Sequence, residues 1–370
     1  MRVMLRLLLA LLAPLSLAQA QILVGQTAGH SGAVAATVKE ATTGAQWVFA
    51  AVNARGGIGG QKIELKSLDD RFEPALAAEN AKTLIQQGVI ALFLTRGTPH
   101  NQGILPLLTE QGVPLVGPST GAMVLHQPVH PWLFNVRATY QREAERAVKH
   151  LVQTGVTRVV LVQVDDSFGA DGAAGALRGF GNATKPAAHL KYDRSKPDFA
   201  PIVKAVLAAD AQAVLFIGSG TAVVDGMKAV RAGGSGAQFV TLSNNASAGF
   251  IKALGPLAHG VIVSQVLPPE RALQIPLVKE AHELARAQGN PPPEVTPALL
   301  EGMAAAKVLV EGLRRAAAAR NLTRAGLRQA LDGMGRYDLG GIELSYSPTD
   351  HTGLDYADLS IIGPDGRFKR

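Results

Sequence analysis

Residues 113–122 read VPLVGPSTGA, and Gly117 to Gly121 satisfy the G-x-S-x-G pattern of a hydrolase nucleophile elbow. In that chemistry Ser119, lifted on a sharp turn after a strand, attacks an acyl carbon once a histidine accepts its proton. The run Val113 to Val116 supplies the strand. His351 in SPTDHTG is a histidine that such a triad could use. A hydrolase elbow then feeds directly into a long helix, whereas Pro128 and Pro131 limit any helix here to about two turns. G-x-S-x-G alone is a weak motif, so a serine hydrolase using Ser119 stands as the minor alternative.

The same letters suit holding better than attacking. Loops at the carboxyl ends of parallel strands, with helix N-termini, are where α/β sheets bind ligands. Three such loops occur in the first third of the chain: TAGHSGA (27–33), TRGTPHN (95–101) and GPSTGA (117–122). Their glycines and small hydroxyl residues expose backbone N–H groups and short donors, which together fit a carboxylate or similar anion. Further along come VDDSFGADG (164–172), GSGTAV (218–223) and LSNNAS (242–247). Asp165 and Asp166 lack the D-x-[DN]-x-[DN]-G spacing of a calcium loop and read as a cap or turn. Phe168, in polar surroundings, is either a small-core residue or an apolar wall against a ligand.

Other chemistry finds no support. GGIGGQK (56–62) precedes a strand instead of joining strand to helix, so it is no dinucleotide fingerprint. The nine histidines include no H-E-x-x-H, there are no cysteines, and a metal site is not expected. Trp47 and Phe49 fall in an Ala-rich helical run and read as core. No cofactor is expected.

The elements that must position these loops alternate. Strand-like runs at 22–27, 62–68, 89–95, 113–117 and 133–138 form one series, and runs at 158–164, 188–192, 213–218, 238–243 and 260–266 a second. Helical segments such as 74–88, 142–155 and 201–211 lie between them. Near-continuous apolar strands alternating with helices indicate parallel sheets covered on both faces. Two doubly wound α/β lobes are therefore expected. After Pro268-Pro269 helical pattern dominates 271–332, and Asn321 and Thr323 read as a loop and an N-cap. GIELSYS and DYADLSIIG close the chain with β-rich stretches around a GPDGRF turn.

Composition bounds the rest. Of 370 residues, 1–20 carry Arg2 and Arg6, an apolar run from Leu7 to Leu17 and an Ala18-Gln19-Ala20 cleavage site. That is the pattern of an export signal, cleaved near Ala20/Gln21. No later run approaches the roughly 20 apolar residues of a spanning helix. A chain this long buries enough core to dispense with disulfides and exceeds what one core usually serves. The formal charge of +7 falls to +5 without the two signal arginines. The remaining basic residues are scattered without aromatic interleaving, so no nucleic-acid partner is expected.

At this point the residues resemble a known family. ILVGQT, then GAQWVFAAVNARGGIGGQKIELKSLDD, then GVPLVGPSTGA, LFNVRATYQRE, VVLVQVDDSFG, VIVSQVLP and EGMAAAKVLVEGLRRA follow the order of the periplasmic Leu/Ile/Val-type solute-binding proteins of ABC transporters. The resemblance covers nearly the whole mature chain. It implies the type I periplasmic binding fold, with two lobes joined by three crossovers near 138–141, 266–270 and 345–350. Lobe 1 would be 21–138 plus 268–346, and lobe 2 would be 139–267 plus 347–370. It implies a monomeric, non-enzymatic receptor that delivers a small solute to an inner-membrane ABC permease, a role the sequence does not separate from a sensory one.

The resemblance also places a site. The family's carboxylate subsite maps onto Gly97 or Thr98 and onto Ser119, Thr120 and Gly121, and its second-lobe aromatic onto Phe168. A further pocket residue falls at Ser219 or Gly220. Where the family's amino acid binders place an acid for the ligand ammonium, this chain has Ser243, Asn244 and Asn245. Either another acid, Asp165 or Asp166, reaches in, or the ligand lacks an ammonium, because a buried unpaired ammonium costs several kcal/mol as a rough figure. A small carboxylate is expected, with an amino acid first and a non-amino organic or aromatic acid, or an amide, as alternatives.

Overall fold

The computed structural model describes residues 21–182 and 184–370. The export signal expected at 1–20 lies outside the described residues. Two sheets dominate. The first is fully parallel, with spatial order β2-β1-β3-β4-β5: β1 (Gln21–Ala28), β2 (Lys62–Asp69), β3 (Ala91–Phe93), β4 (Leu115–Val116) and β5 (Leu133–Phe134). Helices α1 (Ala35–Ala54), α2 (Pro74–Gln86) and α3 (Thr98–Glu110) connect its strands.

The second sheet has seven strands. Its parallel part holds β6 (Val159–Val164), β7 (Ala188–Tyr192), β8 (Ala213–Ile217), β9 (Gln238–Thr241) and β10 (Ile262–Gln265). Antiparallel β13 (Asp358–Ile362) and β14 (Phe368–Lys369) complete one edge, giving the order β14-β13-β10-β9-β8-β6-β7. Every residue of β6 and β8 is buried, as strands covered on both faces require. The covering helices are α4 (Tyr140–Gln153), α5 (Ser167–Phe180), α6 (Ala200–Ala208), α7 (Gly220–Ala232) and the short α8 (Ala248–Leu254). Between β10 and β13 the chain makes α9 (Pro276–Arg286), α10 (Pro297–Ala318), α11 (Arg324–Asp332) and the hairpin β11 (Gly335–Asp338)–β12 (Glu343–Tyr346).

These segments serve two large cores, beside a smaller cluster of Leu84, Leu92, Ile104, Leu108 and Leu115 between α2, α3 and the first sheet. One combines residues of the first sheet, α1, α9, α10 and the hairpin, with Trp47 and Phe49 inside it; the other combines α4 to α8, the second sheet and Phe368. Helix α10 lies backbone-close on α1, because Gly44 faces the Leu299 carbonyl and Gly302 faces the Ala41 carbonyl. A side chain at either glycine would push the helices apart. That close packing fixes the height of residue 301 beneath the first sheet's loops.

The chain passes from one core to the other three times, as a doubly wound two-lobe fold joined by three crossovers. Two expectations need adjustment. The strand expected over 133–138 pairs with β4 only through Leu133 and Phe134. Beyond it, Asn135 N–H donates to the His351 carbonyl and Leu354 N–H to the Val136 carbonyl, so the extended chain is satisfied by the returning crossover. Leu354 consequently packs in the first core, and the third crossing falls between Leu354 and Asp358, later than the expected 345–350. Thr323 caps α11 by accepting from Gly326 N–H, as read from the sequence. Among the described residues no helix is long and apolar enough to cross a membrane.

Candidate functional site

The loops that follow the strands meet between the sheets. After β3 the chain runs Thr95-Arg96-Gly97 and enters α3. Gly97 takes a left-handed conformation (φ 96°), and its bare Cα leaves room for the ring of His100 one turn on. After β4 comes the GPSTGA loop, which bridges Arg96 to Ser119 in parallel register. Only a three-residue 3-10 turn, Met123–Leu125, follows it. The long helix of a nucleophile elbow is not there, as the two prolines predicted.

Arg96 is the centre of this meeting. Its guanidinium donates from Nη1 to Ser119 Oγ at 3.1 Å and from Nη2 to the Asn244 carbonyl, on the second lobe, at 2.7 Å. The side chain is buried, and no carboxylate lies within ion-pair distance of it among the described residues. Burial therefore pulls its pKa below the ordinary arginine value, with Glu301 acting only as a more distant counter-charge. Ser119 donates in turn to Glu301 Oε1 at 2.7 Å.

Arg137, in the first crossover, is a contrasting case. It contacts Glu143 Oε1 at 2.5 Å, faces Glu301 at 3.7 Å and donates to Ser243 Oγ at 2.6 Å. Burial works against its charge, but the fields of Glu301, Tyr140 and Glu143 outweigh it and raise its pKa above the ordinary value. The guanidinium also lies 4.6 Å from the centroid of the Tyr140 ring. Glu143 has its second oxygen on Ser243 N–H and Ser264 Oγ, so this ion pair ties α4 to the loops after β9 and β10.

The ten residues singled out from sequence divide clearly. Ser119, Ser243 and Asn244 share the network just described. The hydroxyls of Thr98 and Thr120 pair with each other at 2.8 Å and join the first two loops. Gly97 and Gly121 are close-packing positions; a side chain at Gly121 would collide with the backbone of 138–140. Ser219 Oγ accepts from Asn244 Nδ2, and Gly220 lies on the Ala33 carbonyl of the first lobe, to which Thr221 N–H also donates at 3.2 Å. Phe168 is not in a loop: it is the second residue of α5, its centroid 4.6 Å from that of Tyr140. It supports the ring that carries Arg137.

Neither aspartate reaches inward. Asp166 caps α5, accepting from Phe168 and Gly169 N–H, and pairs with Arg194; Asp165 pairs with Lys191 on an exposed surface. The capping reading of the sequence is the one the geometry supports. His351 bonds Asp332 at 3.0 Å and the Leu133 carbonyl at 2.8 Å, and stacks on Phe134. It shares no contact with Ser119.

Sequence reasoning missed four residues here: Arg96, Arg137, Glu143 and Glu301. For Glu301 a signal existed, since it is the only charge between Pro297 and Ala306 in a helix turned to the core. Arg96 ends an apolar strand run and stands directly before a glycine, which is also visible.

Towards the mouth, a cavity of about 300 Å³ lies between the lobes, walled by Phe72, Val164, Tyr192 and Ala222, with Ser219 and Arg194 among its polar members. Arg194 sits 4.9 Å above the Phe72 ring, which stacks on His100 at 4.6 Å. Burial, followed by the neighbouring Arg194 charge, pushes the His100 pKa down to about 4, so the imidazole is neutral at pH 7.

With this geometry in hand, comparison with known proteins is direct. The model of the periplasmic binding protein family matches residues 21–359. The chain is 26% identical over 315 residues to the Leu/Ile/Val-binding protein homolog 3 of Brucella melitensis, covering 81% of each. A substrate-binding periplasmic protein from Ralstonia solanacearum superposes with a TM-score of 0.86 at 30% identity, covering 94% of this chain and 99% of that one. A possible leucine/isoleucine/valine-binding protein from Rhodopirellula baltica gives 0.87 at 25% identity, covering 95% and 97%. Family model, sequence relatives and solved folds agree: this chain belongs to the periplasmic binding protein family and has its type I fold.

Proposed function

We propose that the chain is a receptor that closes its two lobes on a small carboxylate and presents it to an inner-membrane ABC permease. The observation that carries this reading is Arg96, a buried guanidinium without an acid partner at the point where both lobes converge. A buried cation of that kind is costly unless paired, and a carboxylate at the cleft would pair it. The Ser219 hydroxyl and the N–H groups of the neighbouring loops supply the remaining donors, and Ser119 joins them by turning its proton from Glu301 to the ligand.

Contacts spanning the cleft support hinge closure as the mechanism. Thr37 bonds Ser247, Gln102 bonds Ser167, and Glu40 of α1 accepts from the N–H groups of Ala248 and Gly249. Each would break when the lobes part, so the closed form is the one whose surface a permease would read. The two separate cores suit the lobe limits read from the sequence, 21–138 with 268–346 and 139–267 with 347–370, except that Leu354 packs in the first core and moves the last limit beyond it. The family's location and an N-terminal segment patterned for export support the periplasm. Ser119 binds in this reading and does not attack.

A thermal-shift screen of purified protein against organic acids, amino acids and short amides tests the proposal. A ligand at 100 times its Kd adds about 2.7 kcal/mol to stability, a readily visible shift. A screen in which no small solute moves the melt would remove the receptor reading.

A further inference from the structure

Building on the hinge-closure reading, we infer that Glu40 is a latch between the lobes. Its carboxylate, carried by α1 of the first lobe, completes the cap of α8 in the second and holds that seam shut whatever fills the cleft. The argument starts from the first turn of α8. The N–H groups of Ala248, Gly249 and Phe250 precede its first intrahelical bond, from Ile251 N–H to the Ser247 carbonyl, and need acceptors elsewhere. Ser247, the local cap, accepts from Phe250 N–H. The other two groups donate across the lobes, Ala248 N–H to Glu40 Oε2 at 3.2 Å and Gly249 N–H to Glu40 Oε1 at 3.0 Å. The cap is thus divided, one part local and one part supplied from the far side of the seam.

The surrounding contacts fit that division. Thr296, itself the cap of α10, donates its hydroxyl to Glu40 Oε2 at 2.7 Å and fixes the carboxylate from the first-lobe side. Thr37, one turn earlier on α1, donates to Ser247 Oγ at 3.1 Å. Gly249 permits the close approach, because a Cβ there would stand 2.3 Å from that of Ala36. Ala36, Thr37 and Glu40 share one face of α1 by their spacing. Glu40, Thr37, Ser247, Ala248 and Gly249 do not line the cavity at the mouth, so the seam is a separate contact. When the lobes part, Glu40 keeps Thr296 and α8 keeps Ser247, while the two cross-lobe bonds to the carboxylate are exchanged for water. Bonds to an ionised acceptor are stronger than neutral ones, and these two exist in the closed form alone. They bias the free receptor towards closure, so that a solute needs to supply less of the closing free energy.

The chain has no cysteine, so an introduced thiol reports the seam directly. Thr37 is buried against Ser247, Thr42 on the same helix is buried within the first lobe on Gln26, and Glu79 is exposed. Chains carrying Thr37→Cys, Thr42→Cys or Glu79→Cys are labelled with N-ethylmaleimide without added solute. The thiol at 37 should react at least about tenfold slower than the thiol at 79. Adding Glu40→Gln should speed it about tenfold and leave the thiol at 42 protected, as loss of one hydrogen bond to a charged group implies. Adding Gly249→Ala should speed it too, by barring the approach of α8. Labelling at 37 left unchanged by either substitution overturns the latch. Equal acceleration at 42 would show that α1 frays, and overturns it as well. So does a thiol at 37 as reactive as the one at 79, because the seam is then not shut. Solute binding itself is read separately by the thermal-shift screen.

Discussion

Replacing Arg96 by methionine separates a ligand-binding arginine from a structural one. The substitution keeps most of the apolar stem and removes the charged fork. Two neutral acceptors lose their donors: Ser119 Oγ, which retains Glu301, and the Asn244 carbonyl, which retains nothing in the described network. One orphaned buried acceptor costs about 1–3 kcal/mol. Against this stands the removal of a buried cation without an acid partner, whose desolvation is a penalty of several kcal/mol in general terms. These opposing effects should leave the unliganded protein within about 2 kcal/mol of wild type in urea denaturation, with either sign. Affinity has no such compensation. Loss of a charge-assisted bond to a carboxylate removes about 1.5–3 kcal/mol, or roughly a 10- to 150-fold rise in Kd, by isothermal titration, for the carboxylate that gives the largest thermal shift. A Kd within threefold of wild type would refute the role of Arg96 in binding. A stability loss above about 4 kcal/mol, the range for a broken buried ion pair, would show that its charge is structurally matched after all.

Arg137→Met should behave oppositely, destabilising by about 3–5 kcal/mol in the same urea assay because it strands the fully buried Glu143. Ser119→Ala should raise Kd by an amount equivalent to about 1–3 kcal/mol in titration without creating or removing ester turnover. Gly220→Ala should obstruct approach of the lobes, since its methyl group would enter the Ala33 carbonyl; small-angle scattering should show a larger radius of gyration with saturating ligand than wild type shows. His100 and His126 have pKa values held down to about 4 by burial, against 6.5 when unfolded. The unfolded chain alone takes up those protons as pH falls, so stability present at pH 7 is lost between about 6.5 and 4, by about 2 kcal/mol per histidine at pH 5. Asp70, pushed up to about 6 by burial, offsets part of this with the opposite sign. His126→Leu should therefore shrink the fall in urea midpoint between pH 7 and pH 5.

How much of this was legible beforehand follows from what kind of contact each feature depends on. The strands β6, β8 and β9 and the helix α10 announce themselves through local pattern, because burial on both faces demands continuous apolar runs. The loops of the candidate site are legible for a similar reason: Gly97, Ser119 and Ser219 have residue types that suit tight turns at strand ends. The charged centre was not. Glu143 looks like any other acid in QREAERAVKH, and only the approach of the β9 and β10 loops, over 100 residues later, makes it fully buried. Arg137 reads as one basic residue in a strand-like run, although that run leaves the sheet after Phe134 to become a crossover. Asp166 deserved its reading as a cap because capping is local; its bond to Arg194 was beyond local reasoning.

The route of the chain through the two sheets has a consequence for the order in which the molecule can be finished. The first core needs α10 and the hairpin ending at Tyr346, and the second needs β13 and β14, the last of which is Phe368–Lys369. Arg370 then donates to the Leu267 carbonyl and ties the terminus to the second crossover. A nascent chain emerging from its N-terminus therefore cannot complete either half early, and a fragment lacking even the final thirteen residues leaves β10 with an unpaired edge. The growing polypeptide stays incompletely packed in its second half until residues 358–369 have emerged.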